Sequence, residues 1–162
     1  GGTIGNFTES QGIEFLREIR ELMGADDQLL LGADRVKAPE VLHAAYNDVA
    51  GITAEFNLNL LDVLNREMCA NFDRENFSHY AFYNPDENQI EMHLVCMCDE
   101  NVRIEALGRS LLFKEGDGIR TEISRKFTRE TLENLLRRAG FEIEFHFESS
   151  MQLFSLVLAR PA

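Results

Sequence analysis

Gln28-Leu29-Leu30-Leu31-Gly32-Ala33-Asp34 is a short, unbroken apolar run bounded by polar residues, the pattern of a strand buried on both faces. Strands of this kind belong to parallel sheets covered by helices, so the run predicts an α/β fold. The segment before it agrees. Thr8, with Gln11 three residues on, is a capping-box signal, and Ile13, Leu16, Ile19, Leu22 and Met23 then recur at helical spacing until Gly24. A helix followed by a buried strand is the repeating unit of an open, helix-covered sheet.

Beyond the strand the chain turns helical again. Pro39 opens a helix through Val41, Leu42, Ala45 and Tyr46, and Thr53 is placed to cap a longer one carrying Phe56, Leu60, Val63, Leu64 and Met68. From Ser78 the period changes to that of strands. Tyr80 to Tyr83, a turn around Asn84-Pro85-Asp86-Glu87-Asn88, and residues 90–97 with Ile90, Met92 and Leu94 facing one way read as successive strands. Val102, Ile104 and Ala106 begin another, Leu111 to Phe113 a short one, and the Glu115-Gly116-Asp117-Gly118 turn leads into residues 119–127. This stretch predicts an antiparallel sheet with helices on one side. Thr128 then caps a helix bearing Leu132, Leu135 and Leu136 that stops at Gly140, and a strand hairpin carrying Phe141, Ile143, Phe145, Phe147, Leu153, Ser155 and Val157 ends the chain. The expected organisation is an open α/β sheet, residues 1–34 and 127–162, interrupted by an inserted α+β lobe, residues 35–126.

Composition narrows the functions open to such a chain. With 162 residues, 44% of them hydrophobic and 27% charged, it has enough material for one sizeable core. A net charge of −12 argues against nucleic acid and anionic membrane partners, which are bound by clustered Lys and Arg. No apolar run approaches the roughly 20 residues of a membrane span and no signal-peptide pattern opens the chain, so a cytoplasmic protein is expected. Cys69, Cys96 and Cys98 are odd in number and lack zinc spacing, so neither a disulfide framework nor a metal site is expected. The start, Gly1-Gly2-Thr3-Ile4-Gly5-Asn6-Phe7, reads as the middle of an ordered motif, and an upstream segment is expected. The glycine-rich G-x-G-x-x-G turn, the P-loop, G-x-S-x-G and H-E-x-x-H do not occur.

Four residues stand out as candidates for a ligand site. Asn6 precedes a capped helix, where an open sheet places its ligands, although Asn there also serves as a turn former. Tyr46 is either a binding phenol or a core aromatic with its hydroxyl at the surface. Glu122 and Ser124 project to the same side of a strand. A carboxylate beside a hydroxyl can satisfy the two nitrogens of an imidazole, one as acceptor and one as donor, the alternative being the solvated face of an exposed strand. His43, His79, His93 and His146 share no spacing and read as structural or surface residues, and Asn57 and Asn59 as polar points on a helix.

Eight ordered segments carry a resemblance that covers nearly the whole chain. Thr3-Ile4-Gly5-Asn6-Phe7, Leu30 to Asp34 with Val36-Lys37, Ala45-Tyr46-Asn47-Asp48, Thr53-Ala54-Glu55-Phe56-Asn57, Leu64-Asn65-Arg66-Glu67, Phe82-Tyr83-Asn84-Pro85, Ile90-Glu91-Met92-His93-Leu94 and Thr121 to Phe127 together resemble the histidine-specific S-adenosylmethionine-dependent methyltransferases, which include the enzymes of ergothioneine biosynthesis. The resemblance implies the C-terminal part of a class I, Rossmann-like methyltransferase sheet with an inserted substrate lobe. It implies methyl transfer from S-adenosylmethionine to the α-amino group of histidine or a related amino acid. Asn6 and Tyr46 would hold the amino and carboxylate end, and Glu122 and Ser124 the imidazole. The cofactor residues would lie upstream, so the chain alone is expected to be inactive and to self-associate through an exposed sheet edge. Two other readings remain open: a noncatalytic ligand-binding module built on this fold, and a methyltransferase for a different amine.

Overall fold

A computed structural model describes residues 2–162; Gly1, the first residue of the glycine-rich start, lies outside the described residues. After a 3-10 turn at Gly2–Asn6, the helices are α1 (Glu9–Glu21), α2 (Pro39–Tyr46), α3 (Ile52–Met68) and α4 (Arg129–Arg138). The strands are β1 (Leu29–Asp34), β2 (Phe77–Asn84), β3 (Gln89–Cys96), β4 (Glu100–Ile104), β5 (Arg109–Phe113), β6 (Gly118–Arg125), β7 (Phe141–Glu148) and β8 (Phe154–Pro161). The α/β class expected from the sequence is the class the structure has. The chain forms two compact units, one of Gly1–Ala38, Asn84–Ile90 and Ile123–Ala162, the other of Pro39–Tyr83 and Glu91–Glu122.

The first unit is a three-stranded sheet in the order β1-β8-β7, with the last strand inserted between the other two. Its helices begin where the sequence places them. Thr8 and Gln11 exchange both capping-box bonds at the start of α1, and Thr128 does the same with Thr131 at the start of α4. Leu16 of α1 and Leu132 and Leu136 of α4 then bury fully in one core with Ala33, Val157 and Ala159 of the sheet. Two expectations for β1 are corrected. It pairs antiparallel with β8, Leu31 opposite Val157, rather than within a parallel ladder. Its second face is covered only in part: Gly32 is buried beneath Phe154, but Leu30 is 58% exposed, as are Phe145 and Phe147 of β7 at 58% and 54%. An apolar run announces a strand, but neither its direction nor which face is covered is contained in the run itself.

Beneath that core His146 is almost fully buried between Glu133 and Ser155. Glu133 Oε1 lies 3.1 Å from Nδ1 and Ser155 Oγ 2.9 Å from Nε2, while Arg35 donates to the same Oγ at 3.1 Å. Burial works against the charged form of Glu133, yet hydrogen bonds from His146, Arg129 and Arg137 outweigh it and hold its pKa below the ordinary value. The Ser-His-Glu arrangement is covered, with Ser155 at 0% exposure, and it fastens α4 to the sheet.

The second unit joins α2 and α3 to strands of the β2-β3-β6 sheet and to a separate antiparallel β4–β5 ribbon, Val102 opposite Leu111. The single antiparallel sheet expected here is thus two. Ala106 is not in a strand, because residues 105–107 tighten into a 3-10 turn closed by Gly108 at φ 59. Leu61 of α3 packs with Phe77, Leu94, Cys96 and Val102 in a second core. The cap of α3 is also corrected: Thr53 lies inside the first turn, and Asp48 supplies the cap, accepting from the backbone N–H of Ile52 at 2.9 Å and of Thr53 at 2.8 Å across Gly51 at φ 72.

Two outcomes follow from these contacts. Replacing His146 by Leu leaves Glu133 and Ser155 each short of a buried partner and is expected to cost about 1 to 3 kcal/mol, read as a fall in the urea midpoint. The backbone bonds to Asp48 lower its pKa from 3.8 to about 2. Its contribution is therefore complete above pH 3.8 and lost as pH falls through about 2, so the thermal midpoints of the wild type and Asp48→Ala should differ at pH 6 and converge toward pH 2.

Candidate functional site

The four candidate residues fall two in each unit: Asn6 and Ser124 in the first, Tyr46 and Glu122 in the second. Glu122 and Ser124 occupy β6 two positions apart, as the sequence predicts.

In the first unit, Asn6 ends the opening 3-10 turn and is exposed. Gly5 beside it is required by a close approach: a Cβ there would lie 2.9 Å from the carbonyl oxygen of Arg125. Asn6 and Ser124 are each one residue from that contact. Ser124 Oγ is also 2.8 Å from Nζ of Lys126, a lysine only 4% exposed whose other oxygen partners include Asp34 Oδ2 at 3.2 Å. Lys37 pairs with Asp34 as well. An ammonium can only donate, so Ser124 Oγ accepts from Lys126 and its own hydrogen is directed to another acceptor.

In the second unit, a cavity of about 200 Å³ lies between α3, from Phe56 to Val63, and Thr121 and Glu122 of β6. That is below the roughly 300 Å³ at which sites for drug-sized ligands begin. Its wall is built on Asn57, which is 3% exposed. The Asn57 amide donates to the carbonyl of His93 at 3.0 Å and lies 3.0 Å from His79 Nδ1, while its oxygen accepts from the Thr121 hydroxyl at 2.6 Å. His79 Nε2 in turn lies 2.9 Å from the backbone oxygen of Tyr46, and the Asn47 amide donates to the carbonyl of Ala81 at 3.0 Å. The end of α2 that carries Tyr46 is thereby tied to β2 at two points. Glu91, only 8% exposed, has His93 at 3.4 Å and Arg120 at 3.6 Å, and Phe82 stacks on the His93 ring.

Sequence reasoning missed Asn57, His79, Thr121 and Lys126 as parts of these arrangements. For Asn57 a signal existed: it stands four residues before the buried Leu61 on the inward stripe of α3, where a polar residue must find partners. For His79 the signal was its alternation with the buried Phe77 and Ala81. Among the described residues, no group of three or more His, Cys, Asp or Glu side chains is arranged to hold a metal ion, and no helix is long and apolar enough to cross a membrane.

Comparison with known proteins gives this geometry its context. Residues 1–161 match the family model of histidine-specific, S-adenosylmethionine-dependent methyltransferases. A histidine N-alpha-methyltransferase of Mycolicibacterium smegmatis is 41% identical over 159 residues, 98% of this chain and 50% of that protein. Ergothioneine biosynthesis protein 1 of Neurospora crassa is 30% identical over 156 residues, covering 88% of this chain and 16% of that protein. Among solved structures, a S-adenosylmethionine-dependent methyltransferase from Clostridium acetobutylicum aligns with 99% of this chain and 55% of its own at a TM-score of 0.49 and 8% identity. The chain spans about half the length of the bacterial relative it matches. With the family model aligned from its first residue to its next-to-last, this chain belongs to the histidine-specific, S-adenosylmethionine-dependent methyltransferase family.

Proposed function

We propose that the natural protein containing this chain transfers a methyl group from S-adenosylmethionine to the α-amino group of histidine, and that this chain supplies residues that grip the amino acid. Family membership supports the reaction. The observation that carries the grip is the Glu122 carboxylate in the cavity wall of the second unit, on the same strand as a serine hydroxyl that accepts from a buried lysine. A neutral imidazole offers one N–H and one bare nitrogen. Glu122 accepts the first, and Ser124, whose polarity is set by Lys126, donates to the second. We assign Pro39–Tyr83 and Glu91–Glu122 to the substrate lobe on this basis.

Asn6 and Tyr46 complete the proposed set at the amino-acid end. The donor set suits an amino acid rather than the cofactor, since amide, phenol, carboxylate and hydroxyl match an amine, a carboxylate and an imidazole, and no residue of this chain is assigned to S-adenosylmethionine. When bound, that cofactor supplies an electrophilic methyl group on a sulfonium. The protein's part is to hold the amine neutral, orient its lone pair and exclude water, which is worth several kcal/mol in a near-attack geometry, about 7 to 11 in well-oriented intramolecular systems. The amide oxygen of Asn6 would accept one amine hydrogen and so fix the direction of the lone pair. Glu122 would favour side chains that donate a hydrogen bond to it over those that cannot.

Calorimetric titration of histidine into the natural protein, with S-adenosylhomocysteine present and beside the Glu122→Ala variant, checks the reading. Histidine should bind, and the variant should bind it at least about tenfold more weakly, the equivalent of 1.4 kcal/mol. Absence of histidine binding in the wild type would leave the family intact and redirect the search to other amines.

A further inference from the structure

We infer that His79 is a positioning residue for the amino-acid site: a neutral imidazole, fixed as the Nε2–H tautomer, that ties the carbonyl of Tyr46 to the Asn57–Thr121 pair beside Glu122. The inference rests on the reading of that cavity and of Tyr46 given above. It uses only residues of the second unit.

The polarity of the contacts fixes the tautomer. The Tyr46 carbonyl can only accept, so His79 Nε2, at 2.9 Å, donates to it. The orientation of the Asn57 amide is set independently of His79. Its Nδ2 lies 3.0 Å from the His93 carbonyl, another pure acceptor, and turning the amide over would set oxygen against oxygen there. With Nδ2 so placed, its second hydrogen points to His79 Nδ1 at 3.0 Å, and that nitrogen must be bare. Asn57 Oδ1 accepts from the Thr121 hydroxyl at 2.6 Å, the shorter of that hydroxyl's two contacts, the Met92 carbonyl oxygen lying 3.1 Å from Thr121 Oγ1. A single donor direction therefore runs from Thr121 through Asn57 and His79 to Tyr46.

This chain of bonds connects the end of α2 with the wall of the cavity. Thr121 precedes Glu122 on β6, and Tyr46 is the last residue of α2, so the two proposed gripping residues of this unit stand at opposite ends of the relay. Asn57 is 3% exposed, which leaves water poorly placed to replace a lost partner. A group at position 79 that cannot both donate outward and accept inward breaks the relay at its centre. The consequence is a displaced Tyr46 and a loosened amino-acid end, with no direct loss of a group that touches substrate.

Two measurements test this. A long-range proton–nitrogen correlation spectrum of the ¹⁵N-labelled protein, with the His79 signals assigned by their loss in His79→Gln, should show a protonated Nε2 and a bare Nδ1 at neutral pH. An Nδ1–H tautomer or an imidazolium at that pH overturns the relay without reference to function. In methyl-transfer assays on the natural protein, His79→Leu, which can neither donate nor accept, should raise the histidine KM about tenfold while the KM for S-adenosylmethionine stays within about twofold, the difference that a site-specific loss of one or two hydrogen bonds produces. Equal KM changes for both substrates, or none for histidine, would assign His79 a structural role only. Wild-type protein that neither binds nor methylates histidine would overturn the substrate reading and the positioning role with it, while the spectrum would still decide the tautomer.

Discussion

The second unit is organised around one buried amide. Asn57 engages partners on three strands through both amide hydrogens and its oxygen: His79 on β2, the His93 carbonyl on β3 and Thr121 on β6. Its three bonds hold α3 in register with the sheet at the point where Leu61, one turn on, enters the core with Phe77 and Leu94. A leucine at 57 would pack against the same strands but would fix neither their separation nor the tautomer of the histidine. The polar residue trades some hydrophobic burial for a single defined arrangement, because each bond specifies a direction as well as a distance.

The first unit depends on a different constraint, closeness of backbones. Gly5 against the Arg125 carbonyl brings the opening turn and the end of β6 nearer than any side chain would allow. The adjoining Lys126, buried and paired with the partly exposed Asp34, then sets the polarity of Ser124. Charge serves here as an orienting device. A lysine cannot accept, so its contact with the hydroxyl turns the serine proton away from the ammonium.

Much of the local structure was legible in the sequence because its causes are local. Thr8 with Gln11, and Thr128 before Leu132, announce helix starts through residues three or four apart, and the hairpin of β7 and β8 follows from alternation and a polar turn. What escaped depends on partners far along the chain. β1 runs antiparallel because its neighbour β8 begins about 120 residues later, information absent from Leu29-Leu30-Leu31. Thr53 has the chemistry of a cap, but Asp48 reaches the same N–H groups first through the left-handed Gly51. The candidate residues were found by their chemistry and by resemblance; the residues behind them, His79, Asn57 and Lys126, were not, since a supporting side chain has no signature until its neighbours are known.

The outward side of the β1-β8-β7 sheet has a practical consequence. Leu30, Phe145, Phe147, Phe154 and Leu156 are all at least one-third exposed and lie on the three neighbouring strands of one sheet. Environment-sensitive dyes such as ANS report on accessible apolar surface of this kind. A solution of the folded chain should therefore fluoresce with such a dye before any heating. Dye-based melting curves would start from a raised baseline and understate the transition, whereas circular dichroism, which follows the backbone, is blind to that surface.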